Sequence, residues 1–194
     1  MAGLLLAAGA GRRFGGPKAL VELDGEPLVR RAVRTLGEAG CAPVRVVVGA
    51  AADDVRALLS EPEAAVYAEG WESGMGASLR AGLTVLASLP VEIGAVLVHL
   101  VDLPWVPAQA LARVAAGASA ESVRRAAYGG VPGHPVVFGR RWWSEIATSA
   151  QGDRGARDWL RGRTDVELVE CGDLGSGQDV DRPADLRRMP ETPG

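Results

Sequence analysis

Residues 4–18 read LLLAAGAGRRFGGPK, and the order of residue types in this segment predicts how the chain folds. The uncharged apolar run at its start is typical of a strand buried on both faces, as in parallel sheets. The loop after it contains four glycines, two arginines and a lysine. Glycine leaves backbone N–H groups open to a ligand, while arginine and lysine donate to phosphate oxygens. The segment therefore predicts a polyphosphate site at the carboxyl end of a parallel strand.

This loop is neither of the two common phosphate-binding loops. A Walker loop requires serine or threonine after its lysine, but Lys18 is followed by Ala19. The dinucleotide fingerprint could begin at Gly9 and Gly11, but the spacing to its third glycine is wrong. We therefore predict a nucleotide site of another kind, in which Arg13 and Lys18 contact phosphates.

Length and composition predict a single folded domain. The chain has 194 residues, is 47% hydrophobic and has a net charge of −3, which does not indicate a nucleic-acid surface. We expect the domain to span residues 1–189, with a disordered tail at 190–194. The scattered arginine pairs, Arg124-Arg125 among them, are expected on solvated faces or at helix ends.

Two further features predict the cellular compartment. Cys41 and Cys171 lack a CxxC spacing, which favours buried thiols in a reducing environment. The apolar start is too short to span a membrane, and its basic residues follow it, whereas a secretory signal has them first. We expect a cytoplasmic protein that contacts no membrane.

Strand and helix patterns alternate along the first half of the chain. Apolar residues at helical spacing predict a helix over about 27–39, and strands are expected at 44–48 and 95–102. A small strand at 64–67 and a short helix from about Asp53, with Asp53 as its N-cap, complete the pattern. This alternation predicts a three-layer α/β/α fold with a mostly parallel, Rossmann-like sheet.

Carboxylates near two chain segments predict a magnesium site. Asp102 closes the apolar strand, where the carboxyl ends of parallel strands converge on a ligand crevice. A carboxylate that faces a triphosphate needs a cation between them, and Mg²⁺ is the usual one. Asp179 and Asp181 lie two residues apart on an extended segment and so share one side of it. We predict Asp102 and Asp181 as metal ligands; Asp179 is the alternative, and Asp181 could instead cap a closing helix.

A glycine- and serine-bearing turn opens the helix after residue 74. Free N–H groups at its start, near Gly76 and Ser78, can bind a base edge or a phosphate, although the pattern also suits an ordinary helix start.

The second half of the chain carries two candidate anion-binding segments. His134 lies in a rigid Gly- and Pro-rich loop expected to enter a strand, where it either contacts an anion or pins the loop. Asp153 is a candidate helix cap, and Arg154 or Arg157 could bind an anion beside it; a plain capped helix is the alternative.

The first segment resembles the signature LAAGxGxRxGxxK of nucleotidyltransferases related to the molybdenum-cofactor enzymes and the sugar-nucleotide pyrophosphorylases. The matching positions are Leu6, Ala7, Ala8, Gly9, Gly11, Arg13, Gly15 and Lys18. Segments 71–83, 102–104, 129–138, 152–157 and 178–186 are similar to further motifs of the molybdenum-cofactor cytidylyltransferase subfamily. The chain departs from those motifs at Ala68, Leu103, Arg182 and Ala184.

This resemblance implies a nucleotide-diphospho-sugar transferase type of fold and a Mg²⁺-dependent nucleotidyl transfer. It implies transfer of CMP from CTP to a molybdopterin-type acceptor with release of pyrophosphate; LAAG, where LAGG would match the guanylyl branch, points to CTP. The resemblance also allows docking to a molybdoenzyme apoprotein. The implied residues are Arg13, Lys18 and Asp102 for catalysis, Leu6, Ala7, Ala8, Gly9, Gly11, Gly76 and Ser78 for the nucleoside, Asp102 and Asp181 for the metal, and His134, Asp153, Arg154 and Arg157 for the acceptor.

Three other functions stay open at this point. The acceptor could be another small phosphate, or the chain could bind a nucleotide without turnover. The chain could also be an NAD(P)H-dependent oxidoreductase, similar to a related group that reduces a nicotine-derived pigment. Lys18, Asp102 and Asp181 favour transfer, because hydride transfer needs neither a metal nor stabilisation of pyrophosphate.

Overall fold

The computed structural model describes residues 1–187 as nine strands and six α-helices joined by short turns. The strands are β1 (Ala2–Leu6), β2 (Glu22–Leu23), β3 (Glu26–Pro27), β4 (Val44–Val48), β5 (Ala65–Tyr67), β6 (Ala95–Leu100), β7 (Val123–Tyr128), β8 (Val131–Gly139) and β9 (Glu167–Glu170). The helices are α1 (Leu28–Glu38), α2 (Ala52–Ala57), α3 (Met75–Ser88), α4 (Ala108–Ala115), α5 (Trp143–Ser149) and α6 (Arg157–Arg161). Among these residues, no helix has the length and apolar character needed to cross a membrane.

Seven of the strands form one sheet in the order β5-β4-β1-β6-β8-β7-β9. The four strands β5, β4, β1 and β6 are parallel, so their carboxyl ends lie at one edge of the sheet. Strand β8 runs antiparallel to β6 and β7, and β9 is parallel to β7. The expected mostly parallel sheet is confirmed, with an antiparallel addition in its second half.

The alternating side chains of β1 define two apolar cores, one on each face of the sheet. Leu5 packs in the core that contains Leu28 of α1 and Leu111 of α4. Leu4 packs in the other core with Leu83 of α3 and residues of α5. Helices therefore cover both faces of the central strand, which buries its uncharged residues completely and confirms the three-layer α/β/α architecture.

Helix α3 approaches the sheet closely at a glycine. A Cβ atom on Gly82 would lie 2.5 Å from Cδ1 of Leu4 in β1, so a larger residue there would force the buried leucine to move. This close packing holds the middle of α3 against β1.

Several local details differ from the sequence predictions. Helix α2 begins at Ala52 after Ala51, a residue with a left-handed φ of 52°, so Asp53 lies inside the helix and does not cap it. Strand β6 ends at Leu100, and the loop expected around His134 is part of β8.

The predicted tail at 190–194 lies outside the described residues. Cys41 and Cys171 are free and buried, as expected.

The buried His99 of β6 generates a prediction for acid stability. Burial, together with the charge of His134, lowers the pKa of His99 to about 3. An unfolded chain binds a proton at an ordinary histidine below about pH 6.5, so the unfolded state gains protons first and stability falls as pH decreases. As the pH falls from about 7 to about 5, we expect the free energy of unfolding to decrease by about 2 kcal/mol because of His99.

Urea denaturation at the two pH values, on wild type and His99→Gln, measures this contribution. The variant should lose about 2 kcal/mol less than wild type on acidification, whatever its stability at neutral pH. An equal loss in both proteins would contradict a neutral buried His99.

Candidate active site

The main candidate site lies at the carboxyl ends of β1 and β6. It is an open cavity of about 530 Å³, a size that suits a small-molecule ligand. The glycine-rich loop after β1 forms one wall, the first turn of α3 forms another, and residues after β6 form the floor. The cavity therefore occupies the crevice where open α/β sheets bind their ligands.

Gly11 organises the loop that follows β1. Its carbonyl oxygen accepts hydrogen bonds from the N–H groups of Phe14 and Gly15, each at 2.9 Å, and of Gly16 at 3.2 Å. Its φ is +57°, and a Cβ atom at this position would lie 1.9 Å from the carbonyl oxygen of Gly16. Only glycine fits this turn without strain, because both the backbone angle and the space exclude a side chain.

Lys18 connects the loop to two carboxylates from distant parts of the chain. Its Nζ donates to Oδ2 of Asp102 at 2.9 Å and to Oδ1 of Asp181 at 2.7 Å. Arg13 reaches the same cluster from the exposed rim, with Nη1 3.6 Å from Oδ2 of Asp181. The three catalytic residues expected from the sequence therefore lie around one point of the cavity.

These contacts keep Lys18 and Asp181 charged at neutral pH. Burial alone lowers the pKa of Lys18, but its hydrogen bonds and charge interactions with Asp181 and Asp102 outweigh burial and raise the pKa above its ordinary value. The Lys18 hydrogen bond, aided by nearby cationic charges, holds the pKa of Asp181 below its usual range against the effect of desolvation. A positive ammonium therefore faces the ionised carboxylate of Asp181.

A third carboxylate joins the cluster through backbone pairing. The N–H of the buried Val180 donates to the carbonyl oxygen of Asp102 at 2.9 Å, which lays the C-terminal segment beside the end of β6. Asp179 and Asp181 flank Val180, and carboxylate oxygens of Asp102, Asp179 and Asp181 all lie within 4.8 Å of one another. Three carboxylates form the hard oxygen donor set that Mg²⁺ or Mn²⁺ prefers, so these residues fit a divalent cation.

The alternative that Asp181 caps a closing helix does not match the contacts. A carboxylate oxygen of Asp185 accepts the N–H groups of Asp181 at 3.0 Å and of Arg182 at 2.7 Å. The capping side chain is therefore Asp185, and the Asp181 carboxylate is left to face Lys18.

Most residues predicted to hold the nucleoside line the cavity. They are Leu6, Ala7, Ala8, Gly9, Gly11 and the buried Ser78. Gly76 does not belong with them. It packs against the backbone after α5, where a Cβ atom would lie 2.7 Å from the N atom of Gln151, so its small size serves helix packing. Trp71, Glu72 and Met75 line the cavity as well, although sequence reasoning did not select them within their segment.

The four predicted acceptor residues line a second, adjoining cavity of about 250 Å³. They are His134, Asp153, Arg154 and Arg157, and Asp153 borders both cavities. The residues at the N-cap positions beside Asp153 are Gln151 and Ala156, so the expected capping by Asp153 is absent from these turns.

Arg125 also lines the second cavity, which corrects the expectation that the Arg124-Arg125 pair is solvated. Its Nε donates to the carbonyl oxygen of Gly133 at 2.9 Å. Arg124 points to the other face of β7 and forms an ion pair with Glu167. Strand alternation predicts opposite faces for the two arginines, but the sequence does not indicate which of them meets a cavity.

Fold and site together define an α/β protein of the nucleotide-diphospho-sugar transferase type. The chain belongs to the MobA-like NTP transferase domain family, whose family model matches residues 3–168.

Named relatives of this chain carry two different activities. The chain is 36% identical to nicotine blue oxidoreductase from Paenarthrobacter nicotinovorans, over 96% of this chain and 95% of that protein. It is 36% identical to molybdenum cofactor guanylyltransferase from Rhodobacter capsulatus, over 72% of this chain and 64% of that protein. Its fold matches Rv0371c from Mycobacterium tuberculosis H37Rv with a TM-score of 0.80 and 29% identity, covering 97% and 96% of the two chains. Rv0371c has also been solved as a complex with manganese.

The loop geometry generates a prediction about two glycines. Gly11→Ala should weaken binding of nucleoside triphosphates by about tenfold or more, because the strained turn would shift the N–H groups and Lys18. Gly16→Ala is the matched control, since Gly16 has ordinary φ and nothing within 4 Å of its Cβ position.

Isothermal titration calorimetry with CTP and GTP measures both variants, with circular dichroism as a check on folding. Equal binding by folded Gly11→Ala and Gly16→Ala would contradict a phosphate-binding role for this loop.

Proposed function

We propose that this protein transfers a nucleoside monophosphate from a nucleoside triphosphate to a phosphate-bearing acceptor and releases pyrophosphate. The observation that carries the proposal is the Lys18 ammonium, held at 2.9 Å and 2.7 Å from two carboxylates at the floor of the cavity. Cations and carboxylates at one point are what a metal-bound triphosphate requires. A turn rich in backbone N–H groups lies directly above them.

The residues of the loop would hold the triphosphate and the leaving group. Lys18 would exchange a carboxylate contact for a phosphate oxygen, and Arg13, exposed at the rim, would fold over the phosphates. An oxygen of the acceptor phosphate forms a bond to the α-phosphorus while the bond from that phosphorus to the bridging β-oxygen breaks. The acceptor phosphate is ionised and need not lose a proton in this step. Catalysis therefore comes from the orientation of the reacting groups and from neutralisation of the charge on pyrophosphate.

Asp102, Asp179 and Asp181 would hold the divalent cation, which we propose is Mg²⁺. When bound, this cation neutralises charge on the phosphate oxygens and orients them. Support comes from the clustering of the three carboxylates. The manganese complex of the structural relative is consistent with a divalent ion.

We further propose a molybdopterin-type acceptor and CTP as the donor. The Rhodobacter capsulatus relative is named for guanylyl transfer to the molybdenum cofactor, which supports the acceptor and leaves GTP as the alternative donor. The LAAG motif at residues 6–9 supports CTP. The proposal includes a cytoplasmic location and a molybdoenzyme apoprotein as the partner that receives the product.

An oxidoreductase is the second candidate, because the relative from Paenarthrobacter nicotinovorans matches nearly the whole chain. In that function the cavity would hold a nicotinamide cofactor, with the glycine loop on its pyrophosphate. The carboxylate cluster favours nucleotidyl transfer, since hydride transfer requires no metal.

Thermal unfolding with CTP, GTP, ATP, UTP or NADPH, each with and without Mg²⁺, separates the two functions. A triphosphate at about one hundred times its Kd stabilises the folded state by about 2.7 kcal/mol. That raises the Tm of a domain of this size by about 5–10 °C. We expect this shift with Mg²⁺ and one triphosphate, and its loss in Asp102→Asn.

Asp54→Asn is the matched control, because Asp54 is an exposed aspartate of α2 that does not line the cavity. It should behave as wild type. A shift with NADPH that depends on neither Mg²⁺ nor Asp102 would overturn nucleotidyl transfer and support the oxidoreductase.

A further inference from the structure

The second cavity adjoins the nucleotide cavity. The two share Leu6, Met75, Leu100 and Asp153 as lining residues, so a ligand in one would lie beside a ligand in the other. The second cavity lies under β7, β8 and α6, the antiparallel half of the sheet and its covering helix.

Arg125 enters this cavity from β7 as a fixed cation. Its Nε donates to the carbonyl oxygen of Gly133 at 2.9 Å and its Nη2 to that of Pro132 at 3.2 Å. These bonds hold the guanidinium against β8 and leave Nη1 without a protein partner among residues 1–187. Within that same part of the chain, no carboxylate lies within ion-pair distance of Arg125.

Arg157 adds a second positive charge to the same cavity. It opens α6, and in the described part of the structure it too has no ion-pair partner. Burial, and then the charge of Arg157, lowers the pKa of Arg125, as expected for two cations that repel each other across a partly enclosed space. By contrast, the neighbouring Arg154 forms an ion pair with Asp158 at 3.2 Å.

His134 contributes a polar but uncharged group. Its Nδ1 is shielded from solvent and has no hydrogen-bond partner in the described chain. Burial, with the charges of Arg125 and Arg157, lowers the pKa of His134 to about 4 against a hydrogen bond to the Val98 backbone, so the ring is neutral at pH 7. A buried nitrogen without a partner is costly unless a ligand or water meets it.

The carboxylates that line the cavity do not pair with the two arginines. Asp153 and Asp179 line the cavity, but neither forms an ion pair with Arg125 or Arg157. The other walls are apolar and include Leu79 and Phe138. The cavity thus offers two cations and an apolar surface, which matches a small ligand with an anionic group on an apolar body.

We propose that Arg125 and Arg157 bind the phosphate of a phosphomonoester acceptor in this cavity, with its apolar body against Leu79 and Phe138. This inference rests on the proposed function, since the acceptor must lie beside the nucleotide. The two guanidinium groups offset the repulsion between the acceptor phosphate and the triphosphate and hold the attacking oxygen in place.

Phenyl phosphate is a suitable probe, with phenol as its neutral analogue. Calorimetry would titrate each into the full chain after the nucleotide cavity is filled with Mg²⁺ and a non-hydrolysable triphosphate. Arg125→Gln and Arg157→Gln remove the two cations. Arg124→Gln on the same strand and Arg161→Gln on the same helix are matched controls, since both pair with carboxylates outside the cavity.

We expect phenyl phosphate to bind wild type and phenol not to bind. Each of the two test variants should weaken the phosphate ester by about tenfold or more, and the controls by less than about twofold. Equal affinity of wild type and folded Arg125→Gln and Arg157→Gln, or equal binding of phenol, would overturn the proposal. Arg157→Gln changes a helix-surface residue, so the test stands even where Arg125→Gln is unstable.

The design separates this inference from the proposed function. If triphosphates bind normally to Arg125→Gln while phenyl phosphate binds it as well as wild type, the acceptor assignment fails alone. If no triphosphate binds, the titration is run without nucleotide, and dependence on Arg125 and Arg157 still identifies the anion site.

Discussion

The ion cluster of Lys18, Asp102 and Asp181 is the interaction on which the site depends. It joins the loop after β1, the end of β6 and the C-terminal segment. Along the chain, Asp102 lies 84 residues after Lys18, and Asp181 lies 163 residues after it. Without the ammonium, clustered carboxylates would repel one another in a partly buried position. The Val180 backbone bond to Asp102 fixes the geometry independently of charge. The carboxylates of the cluster therefore form a preorganised cation site, in which the Lys18 ammonium supplies one positive charge.

The two halves of the sheet form different parts of the candidate site. The parallel strands β1 and β6 and the C-terminal segment build the larger cavity, and the antiparallel strands β7 and β8 with α6 build the smaller one. If the proposed acceptor site is right, a change in the second half would alter the acceptor while the first half stays intact. That division offers a physical reason why one fold family contains relatives named as a guanylyltransferase and as an oxidoreductase.

Local pattern was sufficient for features that depend on backbone geometry and insufficient for those that depend on tertiary packing. The apolar run into glycines predicted β1 and its loop, and the two-residue spacing of Asp179 and Asp181 predicted their shared side, because both depend on backbone geometry alone. The second cavity depends on tertiary packing. The sequence could not indicate that Arg125 is the arginine of its pair that faces a cavity, or that Gly76 packs against the loop after α5.

A crystal structure with a non-hydrolysable CTP or GTP analogue and Mn²⁺ would show where the nucleotide and the metal bind. Anomalous scattering would locate the manganese independently of any assumption about the ligand. We expect one manganese ion between the carboxylates of Asp102, Asp179 and Asp181, with the triphosphate under the Gly11 turn and contacted by Lys18. Nucleotide bound elsewhere, or bound here with Lys18 still paired to both aspartates and no metal peak, would contradict this expectation.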